Sequence, residues 1–417
     1  MLTNELIEDN NNYYYVDANG VMVKNTWVAI AADEDETEDV DYRWYYFGPA
    51  GKAYKNTNGK TINGKKYGFD DEGKMLFCFA DNSGLINDTE DAILECVYYY
   101  GTNDDGARHS GWLRYEDGFS EHDDEYDDNY YWFWFNSNGT KRTDTTKKVN
   151  GKTYAFDDKG VMVTEFTDDK GTRPSVKATG SKYYSDNLED GSLKKSAWIR
   201  TSMPDNNTWK AIPQWDDDDH WFRTDAKGQL IVNDTKKING KWYVFNQVGA
   251  MQDGLVVLNG KKVANSKFVM SIDADDVDAS YIYNLAVGAN DTDGLYYFSD
   301  DEEKDGSMKT GSSIKISLAD DDYKFYFTKT TGVAYDGIKN NKIYKHGILQ
   351  EAGDDKYTVV DFNGKNYLVS TTGTIAKAGH YYKDANDTYW VVTGNDKTHT
   401  YTITECADVD AAKEALK

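Results

Sequence analysis

Apolar and polar positions along this chain recur in short strokes rather than in long helical stripes. In Trp132-Phe133-Trp134-Phe135 the side chains alternate across two faces, with both indoles on one side and both phenyl rings on the other. Trp44-Tyr45-Tyr46-Phe47 and Trp221-Phe222-Arg223-Thr224 are similar runs, and the three lead to Gly139, Gly51 and Gly228 respectively. An Asx-x-x-Gly tetrad such as Asp17-Ala18-Asn19-Gly20 or Asn136-Ser137-Asn138-Gly139 suits the turn of a hairpin. Met22, Met75, Met162, Met251 or Met308 then reads as the opening of a return strand. Each stroke is thus expected to be a β-hairpin of about 20 residues. A lone hairpin is marginal in water, so neighbours must stack to bury the second aromatic face. The predicted fold is all-β: a solenoid of stacked β-hairpin repeats with few helices.

The strokes belong to a longer period. Asn63-Gly64-Lys65-Lys66-Tyr67-Gly68-Phe69 returns at Asn150 and again at Asn239, at spacings of 87 and 89 residues. Tyr13-Tyr14-Tyr15, Tyr98-Tyr99-Tyr100 and Lys182-Tyr183-Tyr184 open a further unit, which ends at Trp27, Trp112 and Trp198. The expected organisation is module 1 over 1–95, module 2 over 96–182, module 3 over 183–265, and a divergent module 4 with a C-terminal cap over 266–417. The fourth copy is carried by Leu295-Tyr296-Tyr297-Phe298, Tyr323 to Phe327, Lys342-Ile343-Tyr344, Asn363 to Tyr367 and Tyr389 to Val392. Helix is expected only over 88–94 and 408–416, the latter capped by Asp408.

Composition changes this picture in two places. Leu, Ile, Val and Phe make up 77 of 417 residues, about 18%, and 47 basic against 72 acidic residues give a net charge of −25. That combination would ordinarily mark a disordered chain. The 11 Trp, 33 Tyr and 16 Phe point the other way, because each ring buries a large area. The chain should fold around rings, as many small cores. Its charge opposes nucleic acid and anionic membranes as partners. Without an apolar run of 18 residues, no membrane insertion is expected.

Chemistry beyond the rings is sparse. Cys78, Cys96 and Cys406 form neither a disulfide framework nor a metal-ligand spacing; a Cys78–Cys96 bond and two small buried side chains are both open. His109, His122, His220, His346, His380 and His399 never form His-Glu-x-x-His, and nucleophile-elbow, phosphate-loop and Cys-x-x-Cys motifs are missing. The expectation is a protein that is not an enzyme and needs no cofactor. Three acidic inserts, Asp33-Glu34-Asp35-Glu36, Asp123 to Asp128 and Asp216 to Asp219, stand beside the tryptophans. They read either as solvated linkers or as a cation-attracting rim, with calcium the metal they would suit. A calcium-loop pattern begins at Asp301, Glu303, Asp305 and Gly306 but fails at Ser312, where a glutamate is required.

The recurring Asn-Gly-Lys-x-Tyr-x-Phe-(x)3-Gly-x-Met, alternating with Trp-bearing hairpins over residues 13–373, resembles the choline-binding and cell-wall-binding repeat family. That family includes the glucan-binding repeats of streptococcal glucosyltransferases and the receptor-binding repeats of large clostridial toxins. The resemblance implies a secreted or bacterial cell-surface protein that binds a cell-wall polymer or other polysaccharide, either a glycan or a choline-substituted polymer. It also implies an appended catalytic or anchoring domain, and a mature fragment restarted at Met1. In choline-binding members, aromatic rings from consecutive hairpins enclose a quaternary ammonium. Carried onto this sequence, the ligand-binding rings are Trp27, Trp44 and Tyr67; Trp112, Trp132 and Tyr154; and Trp198, Trp221 and Tyr243. Gly111-Trp112 keeps the family's Gly-Trp pair, whereas Gly311-Ser312 loses the indole, so no such site is expected in module 4. The links Trp27–Trp44, Trp112–Trp132 and Trp198–Trp221 span 17, 20 and 23 residues, longer than the family's spacing, which tilts the expectation towards a glycan. The alternative class is a structural stalk or adhesin, or a toxin-like receptor-binding region contacting a host partner.

Overall fold

The computed structural model describes residues 1–32, 40–86, 92–116, 130–172, 182–204, 210, 218–288, 290–300 and 306–417. The chain divides into two compact units. One is Met1–Ser196 with Pro204–Trp215 and Ala226–Gln229; the other is Ala197–Met203 with Asp216–Asp225 and Leu230–Lys417. Both are built of small antiparallel sheets.

The first module shows the plan. Strand β1 (Glu5–Asp9) pairs with β2 (Asn12–Val16), β3 (Thr26–Ala31) with β4 (Tyr42–Phe47), and β5 (Thr57–Ile62) with β6 (Lys65–Phe69). The hairpin register differs from the one expected. The turn joining β5 to β6 is Asn63-Gly64, with φ of 48° and 84°. Positive φ at both central residues gives the turn whose twist matches the flanking strands, and Asn-Gly is the pair that tolerates it best.

The Asx-x-x-Gly tetrad is instead the connector between hairpins. Asp70 Oδ1 accepts from the backbone N–H groups of Glu72 and Lys74 at 2.9 and 2.8 Å, which folds the chain back for one step only. Met75 then makes a single bridge to Phe69 and donates its N–H to the Trp44 carbonyl of the preceding hairpin at 2.7 Å. Ala53 does the same to Tyr13 at 2.8 Å, Leu193 to Thr153 at 2.8 Å, and in the second unit Met308 to Trp242 at 2.8 Å. The expected return strands are therefore single bridges or two-residue strands, and they act as rungs that tie one hairpin to the one before it.

Burial follows the alternation of the aromatic runs. In the strand Tyr131–Phe135, Tyr131, Phe133 and Phe135 are buried while Trp132 and Trp134 are half-buried. Phe47, Phe69 and Phe156 fill equivalent places, and each small cluster of rings forms a local core. The second unit departs from this rule. Its largest cluster is mainly aliphatic and includes Leu255, Val257, Ile282, Leu295 and Ile348 together with Phe325. The apolar run Leu255-Val256-Val257-Leu258 lies in the central strand of a three-stranded sheet, where both faces are covered. The helix Ala279–Asn284, absent from the sequence expectation, packs on it with Asp278 Oδ1 accepting from the Tyr281 N–H at 2.9 Å.

Two expected helices have counterparts. Ala92–Glu95 lies within and just beyond the predicted 88–94 segment, whose first part falls outside the described residues. Lys141 Nζ donates to the Ile93 and Leu94 carbonyls at 2.6 and 2.7 Å, anchoring that turn to the next hairpin. The helix Val409–Ala415 is capped by Asp408 and buries Ala412 against Val391 and Cys406. Cys78 and Cys96 are both free: Cys78 is exposed, and burial pushes the Cys96 thiol up to about 11. Among the described residues, no helix is long and apolar enough to cross a membrane.

Candidate functional site

Pairing of β3 with β4 sets Trp27 opposite Tyr46 and Ala29 opposite Trp44. Two residues apart on one strand share a face, so Trp27, Trp44 and Tyr46 all project to the same side. The next hairpin adds Tyr67. The 17-residue link therefore does not separate the two indoles, because it is the loop of their own hairpin. Its acidic segment at 33–36 falls outside the described residues, as do Asp123 to Asp128, Asp216 and Asp217.

The structure brings all nine sequence-selected rings together as three boxes. The Trp27–Trp44 centroids lie 6.4 Å apart at 90°, Trp112–Trp132 5.9 Å at 83°, and Trp198–Trp221 6.2 Å at 89°. Tyr67, Tyr154 and Tyr243 stand 4.8, 4.8 and 5.0 Å from the first indole of each box, again nearly edge-on. Phe69, Phe156 and Phe245 lie 5.8, 5.8 and 6.1 Å from the same indoles as a common backing. All nine box rings are half-buried, so each keeps some surface in contact with solvent.

In module 2 the box opens on a cavity of about 260 Å³ lined by Trp112, Trp132, Tyr154 and Met162, with Leu188, Glu189 and Asp190 at its rim. Lys152 Nζ donates to Asp190 Oδ1 at 2.7 Å and holds that carboxyl below the usual carboxylate range, so it is ionised. Lys65 and Asp105 repeat the pair in module 1 at 3.0 Å. There Asp104, at the Glu189 position, accepts a hydrogen bond from the Tyr42 hydroxyl, and Asn103 Nδ2 donates to the Tyr42 carbonyl at 3.0 Å. The corresponding rim of module 3, at 301–305, falls outside the described residues.

Three parts of these sites are absent from the sequence expectation. Met162 lines the cavity rather than merely opening a strand, and a Cβ added at Gly191 would lie 2.3 Å from its Cε. Met75 with Gly106 and Met251 with Gly306 repeat the contact at 2.2 Å. The constant Met-to-Gly order within each module was the available signal. In module 2 the carboxylates of the next turn, Glu189 and Asp190, stand at the rim, and the acid-acid-Gly sequence shared by Asp104-Asp105-Gly106 and Glu189-Asp190-Gly191 was the signal. The third part is the residue facing the first indole, which is Tyr46, Trp134 and then Arg223. The Arg223 guanidinium lies 5.5 Å from the Trp198 ring, and burial lowers its pKa. Among the described residues, no group of three or more His, Cys, Asp or Glu side chains could hold a metal ion.

Fold and site together define a stacked-hairpin repeat protein with periodic aromatic boxes. No family model matches the chain, and a search of curated proteins finds no match. Among solved structures, the chain is similar to the modular autolysin LytC from Streptococcus pneumoniae in complex with a synthetic peptidoglycan ligand, at 14% identity and a TM-score of 0.31, covering 90% of this chain and 53% of that one. It thus spans about half the length of that autolysin. It is also similar to choline binding protein F from the same organism, at 18% identity and a TM-score of 0.30, covering 94% of this chain and 99% of that one. The choline-binding domain of CbpL, likewise from Streptococcus pneumoniae, shows 18% identity and a TM-score of 0.33, covering 61% of this chain and 98% of that domain.

Proposed function

We propose that the chain is a non-catalytic, secreted or cell-surface binding protein whose boxes hold the quaternary ammonium groups of a choline-substituted cell-wall polymer. The observation that carries this reading is the cavity of module 2, where Trp132 and Tyr154 are set nearly edge-on to Trp112 under a carboxylate rim. Aromatic faces attract a cation by about 0.5–2 kcal/mol each. The ionised Asp190 and the exposed Glu189 add an attractive field at the mouth. At about 260 Å³ the cavity is smaller than usual small-ligand sites, a size that suits a compact trimethylammonium head better than a sugar ring with its hydration. The geometry thus favours choline over the neutral glycan that the long links suggested.

The test is calorimetric titration of the full chain with choline and with a neutral α-glucan oligosaccharide, in wild type and Trp112→Ala. Choline binding is expected, and loss of one ring should weaken the module 2 site about tenfold. Circular dichroism should stay unchanged, because Trp112 is half-buried and leaves Phe133 and Phe135 in place. Binding of the glucan but not choline would transfer the sites to glycans. Binding of neither would favour the stalk or adhesin.

A further inference from the structure

The register position that carries an indole in the first three modules carries Ser312 in the fourth, directly opposite Tyr326. No indole box forms there, yet the structure keeps a cavity of about 610 Å³ at this place. It lies on a five-stranded sheet whose strands include Gly311–Leu318, Asp321–Phe327 and Lys342–Lys345. Three tyrosines wall it. Tyr326 and Tyr335 have centroids 5.3 Å apart, Tyr326 and Tyr344 5.5 Å, and Tyr335 and Tyr344 6.1 Å. Tyr344 occupies the place of Tyr67, Tyr154 and Tyr243 on its hairpin, three residues past the turn. A bulge at Ser313, with φ of 66°, shifts the register at the cavity wall, and bulges of this kind re-aim side chains beside sites.

What has changed is the charge. Lys324 stands two residues before Tyr326, as Trp44 stands before Tyr46, and it pairs with Glu351 at 2.9 Å. Lys339 Nζ lies 4.7 Å from the Tyr326 centroid and 5.8 Å from that of Tyr335, so a cation of the chain's own already faces these rings. Its hydrogen bond with Tyr326 raises Lys339 above the usual lysine range. Lys342 Nζ donates to the Thr372 carbonyl at 2.5 Å, a bond that leaves its charge uncancelled. Lys329 is exposed at the neighbouring turn. Among the described residues, no carboxylate lines the cavity, in contrast to the acidic rim of module 2.

A second ammonium entering here would meet Lys329, Lys339 and Lys342 as like charges, whereas a carboxylate or phosphate would be drawn to them. The tyrosine rings offer apolar platforms with polar edges, and the hydroxyls of Ser312, Thr328 and Thr330 line the same space. The volume is in the range of small-ligand sites. We infer that this cavity is a second ligand site, one that takes an anionic saccharide: a sugar bearing a carboxylate or a phosphate. It shares no residue with the three boxes, so it stands whether or not they bind choline.

The experiment titrates the full chain by calorimetry with digalacturonate, glucose 1-phosphate and neutral cellobiose, each at low and high salt. Lys329→Met/Lys339→Met is the variant. Both side chains are exposed, and circular dichroism together with an unchanged thermal unfolding transition confirms that it folds. Binding of at least one anionic ligand is expected, weakened about tenfold in the variant and again by salt, with no heat from cellobiose. Lys329→Glu alone should act in the same direction. A response to digalacturonate only, to the phosphate only, or to both assigns the carboxylate, the phosphate or either as the recognised group. Equal binding of cellobiose, no binding of either anion by wild type, or full anion affinity in the variants would overturn the inference.

Discussion

A single position, the one facing the first indole of each box, shows how residue identity tunes a repeated scaffold. Tyr46 and Trp134 place a ring there, at 5.1 and 5.3 Å from Trp27 and Trp112. Arg223 places a cation at 5.5 Å from Trp198. A fixed positive charge beside the box opposes an incoming ammonium by on the order of 1 kcal/mol even at the dielectric of bulk water. Module 3 should therefore be the weakest of the three choline sites. Arg223→Tyr, which restores the residue type of module 1, should tighten that site by about fivefold in a choline titration. An unchanged or weaker site would show that the guanidinium does not set its affinity.

Individual hairpins explain both what could be read in the sequence and what could not. Alternation in Tyr131–Phe135 is set within five residues, so the indole face and the buried face were legible from the letters alone. The grouping of Trp27, Trp44 and Tyr67 was legible too, through the resemblance. The pairing register was not. Asn63-Gly64 and Asp70 to Gly73 are both turn-forming sequences, and only the positive φ at both Asn63 and Gly64 decides which one closes the hairpin. Contacts that join different hairpins were also hidden. Met162 meets Gly191 from the preceding hairpin, and Lys339 reaches Tyr326 from the following one. Gly191 has φ of 55°, so a side chain there is strained as well as crowded. Gly191→Ala should destabilise the chain by about 1–3 kcal/mol. It should also displace Met162 and weaken choline binding at module 2 more than at module 1. Thermal unfolding and site-resolved titration check both effects, and a variant with wild-type stability and affinity would remove Met162 and Gly191 from the site.

Across the whole molecule, repetition suits a ligand that is itself a repeating polymer, since weak sites on one chain raise avidity without new contacts. The strong negative charge supports cation capture generally, while the lysine-lined cavity of module 4 creates a local exception. Two ligand chemistries on one chain would let it engage different substituents of a single wall polymer. The most direct measurement is the stoichiometry of choline binding to the full chain, followed by removal of Trp27, Trp112 and Trp198 singly and together. Three equivalents are predicted for wild type, with one site weakened about tenfold by each Trp→Ala change and all three weakened in the triple variant, the fold staying intact by circular dichroism. No choline binding by wild type, or three sites of undiminished affinity in the triple variant, would contradict the assignment of these boxes.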